Sequence, residues 1–204
     1  MLRRALAASA AAFALSAPAG AGELRGRVEL AVPGVALSDV GPVVVYLEGG
    51  GGAPRPGAAA APAEIRQRNA SFSPPFLAVA RGQSVAMPNH DAIYHNVFSF
   101  SAPNDFDLGL YPGGESRAVA FQHPGVVRIF CSIHESMNGT LFVAPTPWFA
   151  VVDGDGRFAI PGVPAGRFRL RTWAARLPAS EREVTVGQGV SSVAIRVGTG
   201  DGVK

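Results

Sequence analysis

The sequence predicts an all-β protein made of two β-sandwiches. Three observations lead there. Glycine and proline are frequent, at 25 and 17 of 204 residues, and fall in clusters that cut the chain at short intervals. The segments between clusters are short, rich in Val, Ile and Phe, and either alternate apolar with polar residues or run continuously apolar, the two patterns of half-buried and fully buried strands. No long amphipathic helical pattern follows the N-terminal segment, so the layers available are sheets packed on sheets.

The first 21 residues read as a secretory signal peptide. Met1-Leu2-Arg3-Arg4 is a basic head, Ala5 to Ala17 is an apolar run, and Ala19-Gly20-Ala21 is a small-x-small cleavage signal. A transmembrane anchor is the alternative, but the run falls short of the ~20 residues a span requires. The expected compartment is the periplasm. Without Arg3 and Arg4 the chain has 16 basic against 15 acidic residues, and its only lysine is Lys204. With neither a basic run nor a Lys-rich patch, nothing points to a nucleic-acid partner. Stable membrane insertion after cleavage is not expected either, because no later segment is long and apolar enough.

Taken in order, Glu23–Leu30 and Val43–Glu48 read as strands, the second as a continuous apolar run. Residues 49–63 are Gly, Ala and Pro with one arginine, a linker with nothing to bury. A block at 64–145 follows. Its strands are expected at 64–68, 76–79, 84–87, 95–100, 118–121, 126–130 and 139–143, with a long loop at 101–114 whose Phe106, Leu108, Leu110 and Tyr111 fold onto the core. After Pro145, strands are expected at 148–152, 157–160, 168–173, 183–186 and 193–197. Asp153-Gly154-Asp155-Gly156 is a hairpin signal; read as a calcium loop, its two carboxylates fall far short of the twelve-residue pattern. Phe168 to Trp173 alternates apolar with charged, so one face should be buried and one wet. Five strands make a thin sandwich and an isolated hairpin is marginal in water. Segments 22–48 and 146–204 are therefore expected to form one discontinuous sandwich with the 64–145 block inserted.

The chemistry concentrates at Phe130-Cys131-Ser132-Ile133-His134-Glu135-Ser136-Met137. Cys131 is the only cysteine, so in an exported chain it pairs with another chain, sits buried, reacts or binds metal. A thiolate, an imidazole and a thioether at C-x2-H-x2-M are the ligand types that select copper, and a blue-copper site needs a second imidazole from elsewhere. His95, opening the strand His95-Asn96-Val97-Phe98-Ser99-Phe100, supplies it. The candidate site is one copper ion held by His95, Cys131, His134 and a weak axial Met137. Plain alternatives exist: Cys131 as a small core hydrophobe, His95 as a satisfied core histidine, Met137 as core filler. His90, in the turn Asn89-His90-Asp91, competes for the first ligand position, whereas His123 sits in a Pro-Gly turn.

The upstream H-N-V-x-F strand followed by F-x-x-P-G-x5-C-x-x-H-x-x-M, from Phe121 to Met137, resembles the cupredoxins, or blue copper proteins. The tight ligand loop looks most like that of amicyanin, and the resemblance covers roughly residues 64 to 145. It implies a Greek-key sandwich, an Asn96 side chain that ties the two ligand loops together, and His134 as the ligand nearest solvent and the electron port. Pro88, Phe98, Ile133 and Met137 would then flank that port as an apolar docking patch. The stretch Asp153 to Leu170 and the opening Gly26-Arg27-Val28 resemble the carboxypeptidase-regulatory-like, or prealbumin-like, sandwich modules. Chains joining the two resemble methylamine-utilisation-type proteins.

An enzyme is not expected. The sequence has no phosphate-binding glycine loop, no G-x-S-x-G and no H-E-x-x-H, and four histidines are too few for the additional centres of single-chain copper oxidases. The expected function is a periplasmic carrier of single electrons that meets a c-type cytochrome or a periplasmic dehydrogenase transiently. The alternatives are copper binding and delivery or sensing without a carrier role, and a binding module in which the outer sandwich docks a partner or surface carbohydrate.

Overall fold

The computed structural model describes residues 21–50 and 63–198. The leader up to residue 20 lies outside the described residues, as does most of the linker. Among the described residues no helix is long and apolar enough to cross a membrane. The N-terminal strands are β1 (Ala21–Leu30) and β2 (Val43–Gly49), joined through a single 3-10 turn at Leu37–Val40. The middle of the chain forms β3 (Ala63–Glu64), β4 (Arg66–Gln67), β5 (Phe72–Ser73), β6 (Phe76–Ala80), β7 (Ser84–Pro88), β8 (His95–Ser99), β9 (Phe106–Tyr111), β10 (Ser116–Ala120), β11 (Gly125–Phe130) and β12 (Asn138–Ala144). The C-terminal part forms β13 (Phe149–Val151), β14 (Arg157–Pro164), β15 (Gly166–Ala174), β16 (Glu181–Val186) and β17 (Val190–Val197).

Strands from the two ends share sheets. β1 lies between β14 and β17, antiparallel to the first and parallel to the second, and β2 lies in the order β13-β2-β15-β16. The strands between pair only among themselves, as β10-β7-β3, β6-β12-β11-β8-β9 and the small hairpin β4-β5.

The continuous apolar run of β2 has a direct cause, because both of its faces are buried. Val43, Val45 and Leu47 enter a core with Leu24, Ile160 and Leu170, while Val44 and Tyr46 point the other way and meet Phe142 and Ala144 of β12. β12 is double-sided too, with Leu141 and Val143 in a third core beside Val127 and Ile129. The sheets therefore stack face to face with three apolar layers between them. The middle layer is aromatic. Trp173 of β15 stacks on Phe76 (5.7 Å between centroids, 6° between planes) and on Phe142 (5.0 Å, 26°).

Four local expectations are corrected. The segment 101–114 is not all loop, since β9 pairs antiparallel with β8, placing His95 opposite Tyr111 and Ser99 opposite Phe106. Its alternation is broken where Gly109 takes a left-handed φ of 64° and its N–H bonds the Asp107 carboxylate at 2.8 Å, which hid the strand in the sequence. The strand expected to end at residue 160 runs on to Pro164, where Gly162 (φ 70°) lies within a register shift and Pro161 and Pro164 are accommodated on a sheet edge. Asp153–Gly156 does form a tight turn, closed by Gly156 N–H to Asp153 O at 3.0 Å. It is not a hairpin, because β13 pairs with β2 and β14 with β1, in different sheets. Finally, the charged face of β15 is wet only in part. Arg169 and Arg171 pair with Glu48 and Glu181, but Trp173 on the same face is covered by Phe76 and Phe142.

Candidate metal centre

β8 and β11 are neighbours, and they set the site. β8 delivers His95 at its first residue, and β11 ends at Phe130, one residue before Cys131. The loop from Cys131 to Met137 then doubles back into β12. It is pinned by Cys131 N–H to Met137 O at 3.1 Å and by Met137 N–H to His134 O at 2.9 Å. Asn96, next to His95, reaches across. Its Oδ1 accepts the Ser132 N–H at 2.7 Å and the Ser132 hydroxyl at 2.9 Å, so one buried side chain locks the ligand loop to the strand carrying His95.

His95, Cys131 and His134 converge. The Nδ1 atoms of the two histidines are 3.0 Å apart, and Cys131 Sγ lies 3.9 Å from His95 Nδ1 and 3.7 Å from His134 Nδ1. The point equidistant from all three lies about 2.1 Å from each, the circumradius of that triangle, and first-row metal–nitrogen and metal–sulfur bonds span ~2.0–2.3 Å. His95 and Cys131 are buried, and His134 is partly open. Met137 is 1% exposed and sits in the same apolar cluster as Cys131, Tyr111 and Phe121.

His95 Nε2 is 2.8 Å from Asp91 Oδ2. A carboxylate only accepts, so Nε2 carries the proton and Nδ1 presents its lone pair to the cluster. Two imidazole lone pairs facing at 3.0 Å repel unless a proton or a metal ion lies between them. Two imidazoles and one thiolate, with a thioether in the adjacent core, are the donor set of copper electron-transfer sites, so the residues present fit that metal.

Other residues considered fall elsewhere. His90 is exposed, with its N–H bonded to Gln67 O at 2.8 Å, and His123 is exposed in its turn; neither joins the cluster. The expected apolar patch changes membership. Ile133 is 50% exposed, Pro88 and Phe98 are half-buried, and Met137, being buried, contributes no surface. The exposed apolar side chains that flank the ligands in the chain are Ile93, Tyr94 and Ile133.

Sequence reasoning missed three participants. Asp91 holds His95. Burial works to raise its carboxyl, but the amides of Ala70 and Asn69 and the His95 ring outweigh this and hold it below the ordinary carboxylate range. Tyr111, fully buried opposite His95, donates to Met87 O at 2.7 Å and accepts from Gln67 Nε2. Burial, reinforced by Cys131, pushes its phenol up to about 12 against the pull of Gln67 and Arg117. Gln67 itself is buried, with its Oε1 lacking a partner among the described residues. The i, i+4 spacing of Asp91 and His95 was the one available signal.

No protein-family model matches the chain, and no curated protein does. Among solved structures it is similar to a Cu-containing nitrite reductase from Thermus scotoductus SA-01, at 26% identity and TM-score 0.39 over 40% of this chain. That match spans only 22% of the nitrite reductase. A purple cupredoxin from Nitrosopumilus maritimus matches at 23% identity and TM-score 0.37, over 40% of this chain and 99% of its own. A reduced Cu(I) form of an amicyanin mutant matches at 20% identity and TM-score 0.38, over 48% of this chain and 97% of its own.

Proposed function

We propose that the chain is a periplasmic type 1 (blue) copper protein that carries single electrons between redox partners, with one copper held by His95, Cys131, His134 and an axial Met137. The observation that supports this best is the convergence of two Nδ1 atoms and one thiol sulfur on a point at bonding distance from all three.

Copper in such a site supplies a one-electron couple. The chain's part is to hold its donors still, so that little rearrangement accompanies each transfer. His95 is fixed by Asp91, the loop by Asn96, and Cys131 by its backbone bond to Met137. Burial of His95 and Cys131 keeps water from the donors, while the partly open His134 offers the way out to a partner. Ile93, Tyr94 and Ile133 supply apolar surface for a small, transient interface with a c-type cytochrome or a periplasmic dehydrogenase. The N-terminal leader motif supports export to the periplasm. The two ends of the chain would form a regulatory-like sandwich around the copper block, and catalysis is not part of this reading.

Voltammetry of the copper-loaded protein tests the carrier role. A reversible one-electron couple with rapid self-exchange is expected. Slow, irreversible exchange with intact copper binding would favour delivery or sensing instead.

A further inference from the structure

The hairpin β4-β5 has a two-residue loop. Arg68 and Ser71 exchange both backbone hydrogen bonds, at 3.0 and 3.2 Å, and the loop residues Asn69 and Ala70 have φ of 54° and 50°. Positive φ at both central positions is the type I′ geometry, where asparagine followed by glycine is favoured. Asparagine tolerates this region, but alanine does not do so readily, and here it occupies the glycine position. Successive amides in such a turn point the same way and form a concave nest for an anion. The anion present is the Asp91 carboxylate. Its Oδ1 accepts the Asn69 N–H at 2.6 Å, and its Oδ2 accepts the Ala70 N–H at 2.9 Å together with His95 Nε2 at 2.8 Å.

Asp91 is fixed from its own backbone as well. Its N–H bonds Asn89 Oδ1 at 3.0 Å. Asn89 is 1% exposed, and its Nδ2 bonds Ile93 O at 2.9 Å and Tyr111 O at 3.2 Å. The carboxylate therefore has no freedom to follow the imidazole, and the imidazole must follow it.

We propose that Asp91, seated in the Asn69–Ala70 amide nest, is a positioning residue for the metal centre: it sets the tautomer and orientation of His95 and strengthens His95 Nδ1 as a donor to a divalent ion. This rests on the copper reading above. A carboxylate behind a ligating histidine raises the basicity of the ring, and losing such a partner typically costs about 10–100-fold in metal affinity. An anion one imidazole away also favours the more highly charged oxidation state. Removing it should weaken Cu(II) binding more than Cu(I) binding and raise the midpoint potential. The small hairpin, which carries none of the ligands, thereby becomes part of the site's support.

The experiment compares the wild-type chain with Asp91→Asn and Asp155→Asn. Competition titration with Cu(II) and Zn(II), and the Cu(II)/Cu(I) midpoint potential, are the readouts. Asp91→Asn should lose about 10–100-fold in Cu(II) affinity and shift the potential upward. Asp155→Asn, which removes an exposed carboxylate in the turn before β14 that touches none of these residues, should leave both unchanged. A purely structural role for Asp91 would lower thermal stability while leaving affinity and potential at wild-type values, and that result overturns the proposal. Nitrogen-15 NMR of the metal-free wild-type chain gives a second measurement that needs neither copper nor a folded variant. His95 should carry its proton on Nε2, protected from exchange; a proton on Nδ1, or rapid exchange at Nε2, also overturns it. If the chain takes up no copper at all, the copper reading fails while the His95 tautomer still decides the role of Asp91.

Discussion

The Nδ1 atoms of His95 and His134 face each other at 3.0 Å across the mouth of a buried thiol, from a strand start and from a loop 39 residues further on. The His95 ring is turned to present Nδ1 because its other nitrogen is engaged by Asp91. Metal binding should therefore depend on His95 and be indifferent to the exposed His90. His95→Ala should abolish the visible band of the copper-loaded protein, and His90→Ala should leave it intact, as read by absorption spectroscopy. The reverse pair of results would move the first ligand to His90.

Asn96 Oδ1 takes two hydrogen bonds from Ser132 while buried. Asn96→Ala removes the acceptor of the Ser132 N–H, a loss of about 0.5–1.5 kcal/mol because Ser132 is exposed and water can replace the bond. Denaturant unfolding of the metal-free protein should show this loss. Added Zn(II) should recover less stability in the variant than in wild type, because a looser loop binds metal more weakly and stabilisation follows ligand affinity.

Trp173 joins the two sandwiches through its stacks on Phe76 and Phe142. Trp173→Ala should cost about 3 kcal/mol, the lower end for removing a core tryptophan, because the ring is only partly buried. The effect should extend to the block that carries the candidate site, since Phe142 lies on β12, the strand that follows the Cys131–Met137 loop. Hydrogen exchange along β6 and β12 should quicken in the variant. Unchanged exchange there would show that the middle apolar layer does not couple the sandwiches.

Tyr111 gives a pH signature. An unfolded tyrosine titrates near 10, whereas burial pushes the folded phenol up to about 12. Between those values the folded chain keeps a proton that the unfolded chain loses, so stability is present below about pH 10 and falls as the pH rises toward about 12. Denaturation midpoints across that window should drop for wild type and drop less for Tyr111→Phe.

The parts of this molecule that were legible in the sequence are those where chemistry is scarce or burial is extreme. The meeting of Cys131 and His134 could be read because a lone cysteine with an imidazole close behind has few structural uses. The double-sided burial of β2 could be read from Val43 to Leu47, where no polar residue interrupts. The rest was hidden for physical reasons. Gly109 bends out of the alternation that would have marked β9. Pro161 and Pro164 imitate a loop because only the finished sheet shows that their strand is an edge. Asp91 resembles any turn aspartate, and its significance depends on two amides about twenty residues upstream whose left-handed geometry no composition reveals. Trp173 shares a face with Arg169 and Arg171, and only the neighbouring sandwich explains why that end of the face is dry.

The most direct measurement is the absorption spectrum of the protein loaded with Cu(II), recorded beside Cys131→Ser. A strong visible thiolate-to-copper band is expected in the wild-type chain and should disappear when the Cys131 sulfur is replaced. A colourless copper complex, or a band that survives in Cys131→Ser, would contradict the copper reading.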